Sequence, residues 1–150
     1  MRSADEWFDD YGQSHTNPTN KAIHWVCVPL IFWSVLALVW SIPSPISGLN
    51  WAVVGALGAQ FYYIMLSPKL SLGIGLFMVL SLLICWAVDN TAPYALWQVA
   101  LVVFVAAWVG QFVGHKIEGE KPSFFKDLQF LLIGPAWLMG FIYRRLSWSY

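Results

Sequence analysis

Four long stretches of the chain consist mainly of apolar and small residues and contain no Asp, Glu, Lys or Arg. The eight basic and eight acidic residues all lie outside them. Because roughly 20 helical residues cross a bilayer core about 30 Å thick, each stretch is suited to span a membrane as an α-helix. The predicted spans are residues 23–42, 49–66, 70–88 and 95–113.

Short turns rich in Pro, Gly and Ser separate these stretches, which predicts an up-down bundle of four transmembrane helices. A fifth apolar segment, residues 128–143, is shorter and is interrupted by Gly134-Pro135. This pattern favours a re-entrant or interfacial C-terminal helix over another span. The whole chain, residues 1–150, is therefore predicted to be a single all-α integral membrane domain.

The N-terminal segment predicts a short helix ahead of the first span. Ser3 and Glu6 have the spacing of a capping box. Trp7, Phe8 and Tyr11 then fall on one face, with acidic residues elsewhere on the helix. Such a helix is expected to lie at the membrane interface, over the cytoplasmic mouth of the bundle.

Composition and charge agree with a membrane protein. Hydrophobic residues make up 59% of the chain and charged residues 11%, against about 25% charged in an ordinary soluble domain. With four spans, all eight Lys and Arg residues fall on the side of the N-terminus, and only Asp89 falls on the other. The positive-inside rule then places both termini in the cytoplasm, at the plasma membrane of a bacterium or the endoplasmic reticulum of a eukaryote.

The three histidines of the chain all fall on that cytoplasmic side. His15 and His24 flank the start of the first span, where Asn17-Pro18 predicts a capped helix start. His115 follows the fourth span, so an even number of crossings returns it to the same face. Three imidazoles at one membrane depth suggest a metal site, and imidazole ligands suit Fe, Zn, Cu or Ni.

Other polar residues near these positions are candidates to support a metal or bind a substrate. On the fourth helix, Gln111, His115 and Glu118 share a face if the helix continues one turn beyond the span. Gly110 and Gly114 permit close contact with another helix, which would bring His115 near His24. The candidates for supporting or substrate-binding roles are Asn20, Lys21, Gln111, Glu118 and Asp127.

The residues alone leave several functions open. The histidines are also explained as interfacial side chains of a non-enzymatic membrane scaffold or lipid-binding protein. A small metal or solute transporter fits less well, because the spans contain no charged residue for a midplane site. A bis-histidine haem protein is a further alternative. No basic patch indicates nucleic-acid binding, and no nucleophile elbow or phosphate-binding loop is present.

Two stretches do resemble a known family. The first runs from His15-Thr16-Asn17-Pro18 through His24 to Pro29, and the second is Gln111-Phe112-Val113-Gly114-His115 with Glu118. Together they resemble the motifs of the membrane 2-hydroxy fatty acid dioxygenases, which are the fungal proteins of phytosphingosine breakdown and their bacterial relatives. Asp127-Leu128-Gln129 and Gly134-Pro135 resemble the closing stretch of that family. Lys116 stands where the family often has a glycine.

The resemblance implies an Fe(II)-dependent dioxygenase with His15, His24 and His115 as catalytic metal ligands. Its implied substrates are a 2-hydroxy fatty acid and O2, and its product is the fatty acid shortened by one carbon in α-oxidation. The reaction balances with CO2 and water as the other products, so no external reductant is needed. The implied partners are thus membrane lipid, substrate and O2, whereas the sequence does not specify an oligomeric state.

Overall fold

The computed structural model describes residues 1–119 and 130–150, and within these ranges the regular structure is entirely helical. Three of the helices, α2 (Pro18–Trp40), α4 (Pro68–Thr91) and α5 (Leu96–Glu118), are long and apolar enough to cross a membrane. The predicted all-helical membrane fold is confirmed to this extent. The helices of the described ranges are α1 (Ala4–Gly12), α2 (Pro18–Trp40), α3 (Trp51–Leu66), α4 (Pro68–Thr91), α5 (Leu96–Glu118) and α6 (Ile133–Arg145).

The helix α3 is shorter than the span predicted over residues 49–66. Asn50 adopts an extended conformation and its Oδ1 accepts a hydrogen bond from the backbone N–H of Ala52 at 2.8 Å, so the helix begins at Trp51. Ser67 is also extended; it ends α3 and its Oγ caps α4. The resulting 16 residues rise about 24 Å, less than the thickness of a bilayer core. The arrangement of four spans therefore stays a prediction.

The helices α2 and α5 form the most extensive helix pair among the described residues. Two glycines of α5 allow their backbones to approach closely, as the Gly110 and Gly114 spacing predicted. A Cβ added to Gly110 would lie 2.6 Å from Cys27 Sγ, and one added to Gly114 would lie 2.3 Å from Asn20 Oδ1. Only glycine fits at these two contacts, so they fix how α5 lies along α2.

The ends of α2 and α5 position the chain around this contact. Asn17 Oδ1 accepts hydrogen bonds from the backbone N–H groups of Thr19 and Asn20, and Pro18 occupies the first helical position, as predicted. The helix α5 continues beyond residue 113 to Glu118. Gly119 then ends it in the left-handed conformation, with φ 83°, which glycine adopts without strain. The extra turn carries His115 on the same helix as Gln111.

The N-terminal helix α1 packs against α6. The predicted capping box is present, since Glu6 N–H donates to Ser3 Oγ and Ser3 N–H donates to Glu6 Oε2. Phe8 and Tyr11 are buried, and the Tyr11 ring lies edge-on to that of Trp137 on α6, at 5.0 Å between centroids. The helix α6 also contacts α2.

Gly134-Pro135 does not interrupt the C-terminal apolar segment, contrary to the sequence prediction. Pro135 lies in the first turn of α6, where its missing N–H would have had no partner within the helix. The helix runs 13 residues, contacts α1, α2 and α4, and buries most of its first half. Of the segment predicted over 128–143, residues 128 and 129 lie outside the described part of the chain.

Candidate metal centre

Three buried histidines from the α1–α2 connection, α2 and α5 meet at one place. His15 lies in the connection between α1 and α2, His24 in the second turn of α2, and His115 in the last turn of α5. One ring nitrogen from each lies within 4.8 Å of the other two. The ring centroids are 4.2 Å apart for His15 and His24, 5.3 Å for His24 and His115, and 5.8 Å for His15 and His115. The predicted convergence of the three side chains is confirmed.

Backbone carbonyls orient two of the imidazoles. His15 Nδ1 lies 2.6 Å from the carbonyl oxygen of Tyr11, and His24 Nδ1 lies 2.9 Å from that of Asn20. A carbonyl oxygen only accepts hydrogen bonds, so Nδ1 carries the proton in both neutral rings. The lone pair then falls on Nε2. This is the arrangement by which proteins fix the tautomer and direction of a metal-binding histidine.

Aromatic rings hold His15 in place as well. The Tyr11 ring stacks on His15 at 4.3 Å between centroids, with an angle of 12° between the planes. Trp137 from α6 lies 5.3 Å from the same imidazole. His15 belongs to no helix, and its position therefore depends on these packed neighbours from α1 and α6.

The carboxylate of Glu118 ties the His15 segment to the end of α5. It accepts hydrogen bonds from the backbone N–H groups of Thr16 and Asn17, both at 2.9 Å, from the Thr16 hydroxyl, and from Asn20 Nδ2 at 3.0 Å. Hydrogen bonds to the charged form favour the ionised carboxylate. Glu118 thus joins two elements about one hundred residues apart, and among residues 1–119 and 130–150 no carboxylate joins the histidine group.

The other predicted site residues have different surroundings. Asn20 is fully buried, donates to the Ser14 carbonyl and to Glu118, and contacts Gly114. Gln111 is 5% exposed, and no described residue donates a hydrogen bond to its Oε1. Lys21 follows Asn20 on α2 and is half-buried. The predicted residue Asp127 lies outside the described residues.

The donor set fits a transition-metal ion. Three neutral imidazoles suit Fe, Zn, Cu or Ni, and buried histidines with fixed tautomers reduce the cost of ordering the site. Two nitrogens bound to one ion at about 2.1 Å each lie about 3.4 Å apart at the tetrahedral angle. Ligand atoms up to 4.8 Å apart would therefore draw together by at most about 1.4 Å on binding a tetrahedral ion. This triad could hold a metal ion and leave coordination positions for other ligands.

Sequence reasoning missed several residues around the triad. The sequence pattern predicts only that Tyr11 shares one face of α1 with Trp7 and Phe8, although its position four residues before His15 is a signal for contact within a turn. Thr16 and Trp137 carried no local signal, because their partners lie far away in the chain. These residues position histidines rather than add a ligand.

Comparisons with known proteins match the chain to one family. The chain matches the family model described as 2-hydroxy-palmitic acid dioxygenase Mpo1-like over residues 1–146. It is 32% identical over 128 residues to the 2-hydroxy-palmitic acid dioxygenase MPO1 of Saccharomyces cerevisiae. The aligned region covers 83% of this chain and 71% of that relative. No solved structure matches the chain.

Proposed function

This chain belongs to the 2-hydroxy-palmitic acid dioxygenase Mpo1-like family, and we propose that it is a membrane-embedded, Fe(II)-dependent dioxygenase of 2-hydroxy fatty acids. The observation that supports the proposal is the buried triad of His15, His24 and His115, with one nitrogen from each within 4.8 Å of the others. The products are the fatty acid one carbon shorter, CO2 and water. This balance consumes one O2 and needs no external reductant.

The three histidines would hold the iron. Iron with open coordination positions activates O2 and polarises substrate oxygens. The chain contributes the geometry for that chemistry. Carbonyl oxygens of Tyr11 and Asn20 direct Nε2 of His15 and His24 inward, and the Glu118 hydrogen bonds keep the His15 segment against α5. Burial of the triad excludes bulk water from the reacting atoms.

Gln111 is proposed to recognise the 2-hydroxyl group of the substrate. Its buried Oε1 accepts no hydrogen bond from the described residues, and a buried acceptor without a partner costs about 1–3 kcal/mol. Apart from water, a 2-hydroxy fatty acid with an ionised carboxylate supplies one donor, its hydroxyl. Lys21, half-buried one residue after Asn20, is proposed to attract the carboxylate. Asn20 and Glu118 are proposed to support the histidine ligands. Asp127 remains a candidate, from the sequence, to support the metal or bind the substrate.

The site is proposed to lie at the cytoplasmic face of a four-span bundle. In that topology α3 crosses the membrane with α2, α4 and α5, and both termini are cytoplasmic. The asymmetry of the eight Lys and Arg residues supports this orientation. Exposed apolar side chains along α4 and α5, such as Leu72, Leu76, Val102 and Val109, would contact lipid. The acyl chain of the substrate would reach the site from that lipid.

Bound metal and O2 consumption test the proposal together. The protein is purified in detergent without chelator, reconstituted with Fe(II) under anaerobic conditions, and its metals are measured by elemental mass spectrometry. We expect about one iron ion per wild-type chain and very little in His24→Ala, because three ligands are needed for tight binding. Addition of a 2-hydroxy fatty acid should then consume one O2 for each CO2 released.

Ser34→Ala provides a matched control for the histidine variants. Ser34 lies on the same helix as His24, is also fully buried, and donates to the Ile31 carbonyl away from the triad. This variant should retain iron and activity, which separates loss of a ligand from general destabilisation. Zinc in place of iron without O2 consumption would overturn the dioxygenase and keep the metal site. A chain with no bound metal after reconstitution would favour the structural, lipid-binding alternative.

A further inference from the structure

The histidine triad is too deeply buried for a fatty acid to reach it without movement of the protein. His15, His24 and His115 are 3%, 0% and 5% exposed. The cavity beside them, which Val28 and Gln111 help to line, has a volume of about 20 Å³, room for about one water molecule. Substrate oxygens must come within about 2 Å of a metal ion to bind it. One wall of the site therefore has to move when a substrate enters.

The wall formed by α2 and α5 is suited to stay fixed. These two helices make the most extensive helix contact among the described residues, and each is long and apolar enough to span a membrane. A side chain at Gly110 or Gly114 would collide with α2. Separating helices packed this closely would disrupt a large part of the core. His24 and His115 are therefore expected to keep their places.

The wall formed by α1 is held by fewer contacts. The helix has nine residues, and its main partner among the other described helices is α6. It covers His15 through Tyr11, whose ring stacks on the imidazole at 4.3 Å between centroids. An isolated helix of this length is marginal in water, because its few hydrogen bonds do not offset the cost of nucleation. Among the elements around the triad, α1 is thus the one that moves at the least cost.

The residues that follow α1 are anchored independently of it. The Ser14 carbonyl accepts a hydrogen bond from Asn20 Nδ2 at 3.2 Å, and the two residues after His15 donate backbone hydrogen bonds to Glu118. His15 therefore stays beside the triad if α1 swings away. Between α1 and Ser14 lies Gln13, which is exposed and can take up the change in direction.

The segment after α6, residues 146–150, reaches across to α1. The Tyr150 hydroxyl donates to Asp5 Oδ1 at 2.9 Å, and the Tyr150 ring lies 5.8 Å from that of Phe8. The neighbouring Ser149 Oγ accepts a hydrogen bond from Lys69 Nζ at 2.8 Å, at the start of α4. One short segment thus connects α1 to both α4 and α6.

We propose that α1 is a lid over the histidine triad, hinged at Gln13 and fastened by Tyr150 to the segment after α6. The inference rests on the proposed function, which requires the head of a fatty acid to enter a buried site. When the lid opens, the Tyr11 ring leaves the face of His15 and its carbonyl releases His15 Nδ1. When the lid closes, both contacts form again and orient the imidazole. Closure therefore completes the site around a bound substrate.

A reversible cross-link tests whether α1 has to move during turnover. Asp5→Cys combined with Tyr150→Cys is joined by a short bis-methanethiosulfonate reagent in the full-length, iron-loaded protein, and a reductant later releases the link. The native Cys27 and Cys85 are buried, so the reagent should not reach them. We expect the link to lower the rate of O2 consumption at least tenfold with iron content unchanged, and its release to restore the rate.

Lys69→Cys combined with Ser149→Cys is the matched control. Its cross-link joins the same segment to α4 and leaves α1 free, so turnover should not change. Full turnover with α1 cross-linked would overturn the lid while the dioxygenase stands. An equal loss of turnover in both cross-linked proteins would also overturn it, because restraint of α1 would then not be the cause.

Hydrogen exchange measures the opening without any need for turnover or bound metal. Once undocked, so short a helix loses its internal hydrogen bonds readily, and its amides exchange from the open state. Tyr150→Phe removes the donor to Asp5 and should raise the exchange rate of residues 4–12 about threefold, with α2 and α5 unchanged. Trp40→Phe removes the donor of another exposed hydrogen bond, to Asp89, and should leave α1 unchanged. Unchanged exchange of α1 in Tyr150→Phe would overturn the proposed fastening.

The two measurements separate the lid from the proposed function. A wild-type protein that consumes no O2, but whose α1 amides respond to Tyr150→Phe, would overturn the dioxygenase and leave α1 as a movable cover of the triad. A wild-type protein that consumes O2 equally well with α1 free or cross-linked would keep the dioxygenase and overturn the lid.

Discussion

Replacing Glu118 with alanine should loosen the proposed metal site as well as the fold. Its carboxylate accepts hydrogen bonds from two backbone N–H groups, at Thr16 and Asn17, and from the side chains of Thr16 and Asn20. The alanine variant leaves these donors without their acceptor. Since His15 immediately precedes Thr16, the first segment to loosen is the one that carries a proposed ligand.

The hydrogen bonds set the expected magnitude. A hydrogen bond to a charged group contributes about 1.5–3 kcal/mol, but several bonds to one carboxylate are not additive. Glu118 is half-buried, so water can replace part of what is lost. We therefore expect a loss of about 2–4 kcal/mol in the free energy of unfolding. Loss of groups that orient ligands typically weakens metal binding about 10–100-fold.

Denaturant unfolding in detergent and competition with a chromophoric chelator measure the two effects. Glu118→Gln keeps one acceptor oxygen and should recover part of both losses. The control is Asp89→Ala, which removes an exposed carboxylate with a single side-chain hydrogen bond, from Trp40 Nε1. It should cost less than about 1 kcal/mol and leave metal affinity unchanged. Equal effects of Glu118→Ala and Asp89→Ala would refute the role assigned to Glu118.

Four further results are expected. Gly114→Ala should cost about 1–3 kcal/mol in denaturant unfolding, because its Cβ would lie 2.3 Å from Asn20 Oδ1. Gly58→Ala, with nothing within 4 Å of its Cβ, should be neutral or stabilise by up to about 1 kcal/mol. Tyr11→Leu should raise the dissociation constant for iron, since it removes the ring stacked on His15, whereas Tyr11→Phe should not. Removing iron from the wild type with a chelator should lower its free energy of unfolding by about 2.7 kcal/mol, compared with protein in free Fe(II) at 100 times Kd. A thermal unfolding midpoint that does not change with the chelator would contradict a metal site.

The sequence was sufficient to predict the convergence of the histidines because topology and local signals agreed. Asn17-Pro18 marked the helix start between His15 and His24, and the structure shows that cap. An even number of predicted crossings places His115 on the same face, and the glycines of α5 predict close packing on α2. Each step used residues close together in the chain or a count of apolar runs. The metal-binding role itself stays a prediction from this pattern and the family.

Two features of the helices were harder to predict because neighbouring residues compete. Hydropathy counts Asn50 inside an apolar run, but its side chain caps α3 and shortens the helix to 16 residues. Gly134-Pro135 reads as an interruption, but proline in the first turn of a helix removes no internal hydrogen bond. In both cases the outcome depends on which group, if any, accepts a hydrogen bond from a backbone N–H at the helix start. The spacing of apolar residues carries no information about that.

The triad and a small cavity beside it, which Val28 and Gln111 help to line, depend on the same helix contact. His24 and Val28 lie on α2, and His115 and Gln111 lie on α5, with the members of each pair four positions apart. A shift of α5 along α2 would therefore displace a proposed ligand and a wall of the cavity together. Gly114, which admits no side chain against Asn20, opposes such a shift. Close packing at Gly114 therefore determines both the distances between the imidazoles and the volume of the neighbouring cavity. A change in one is expected to change the other.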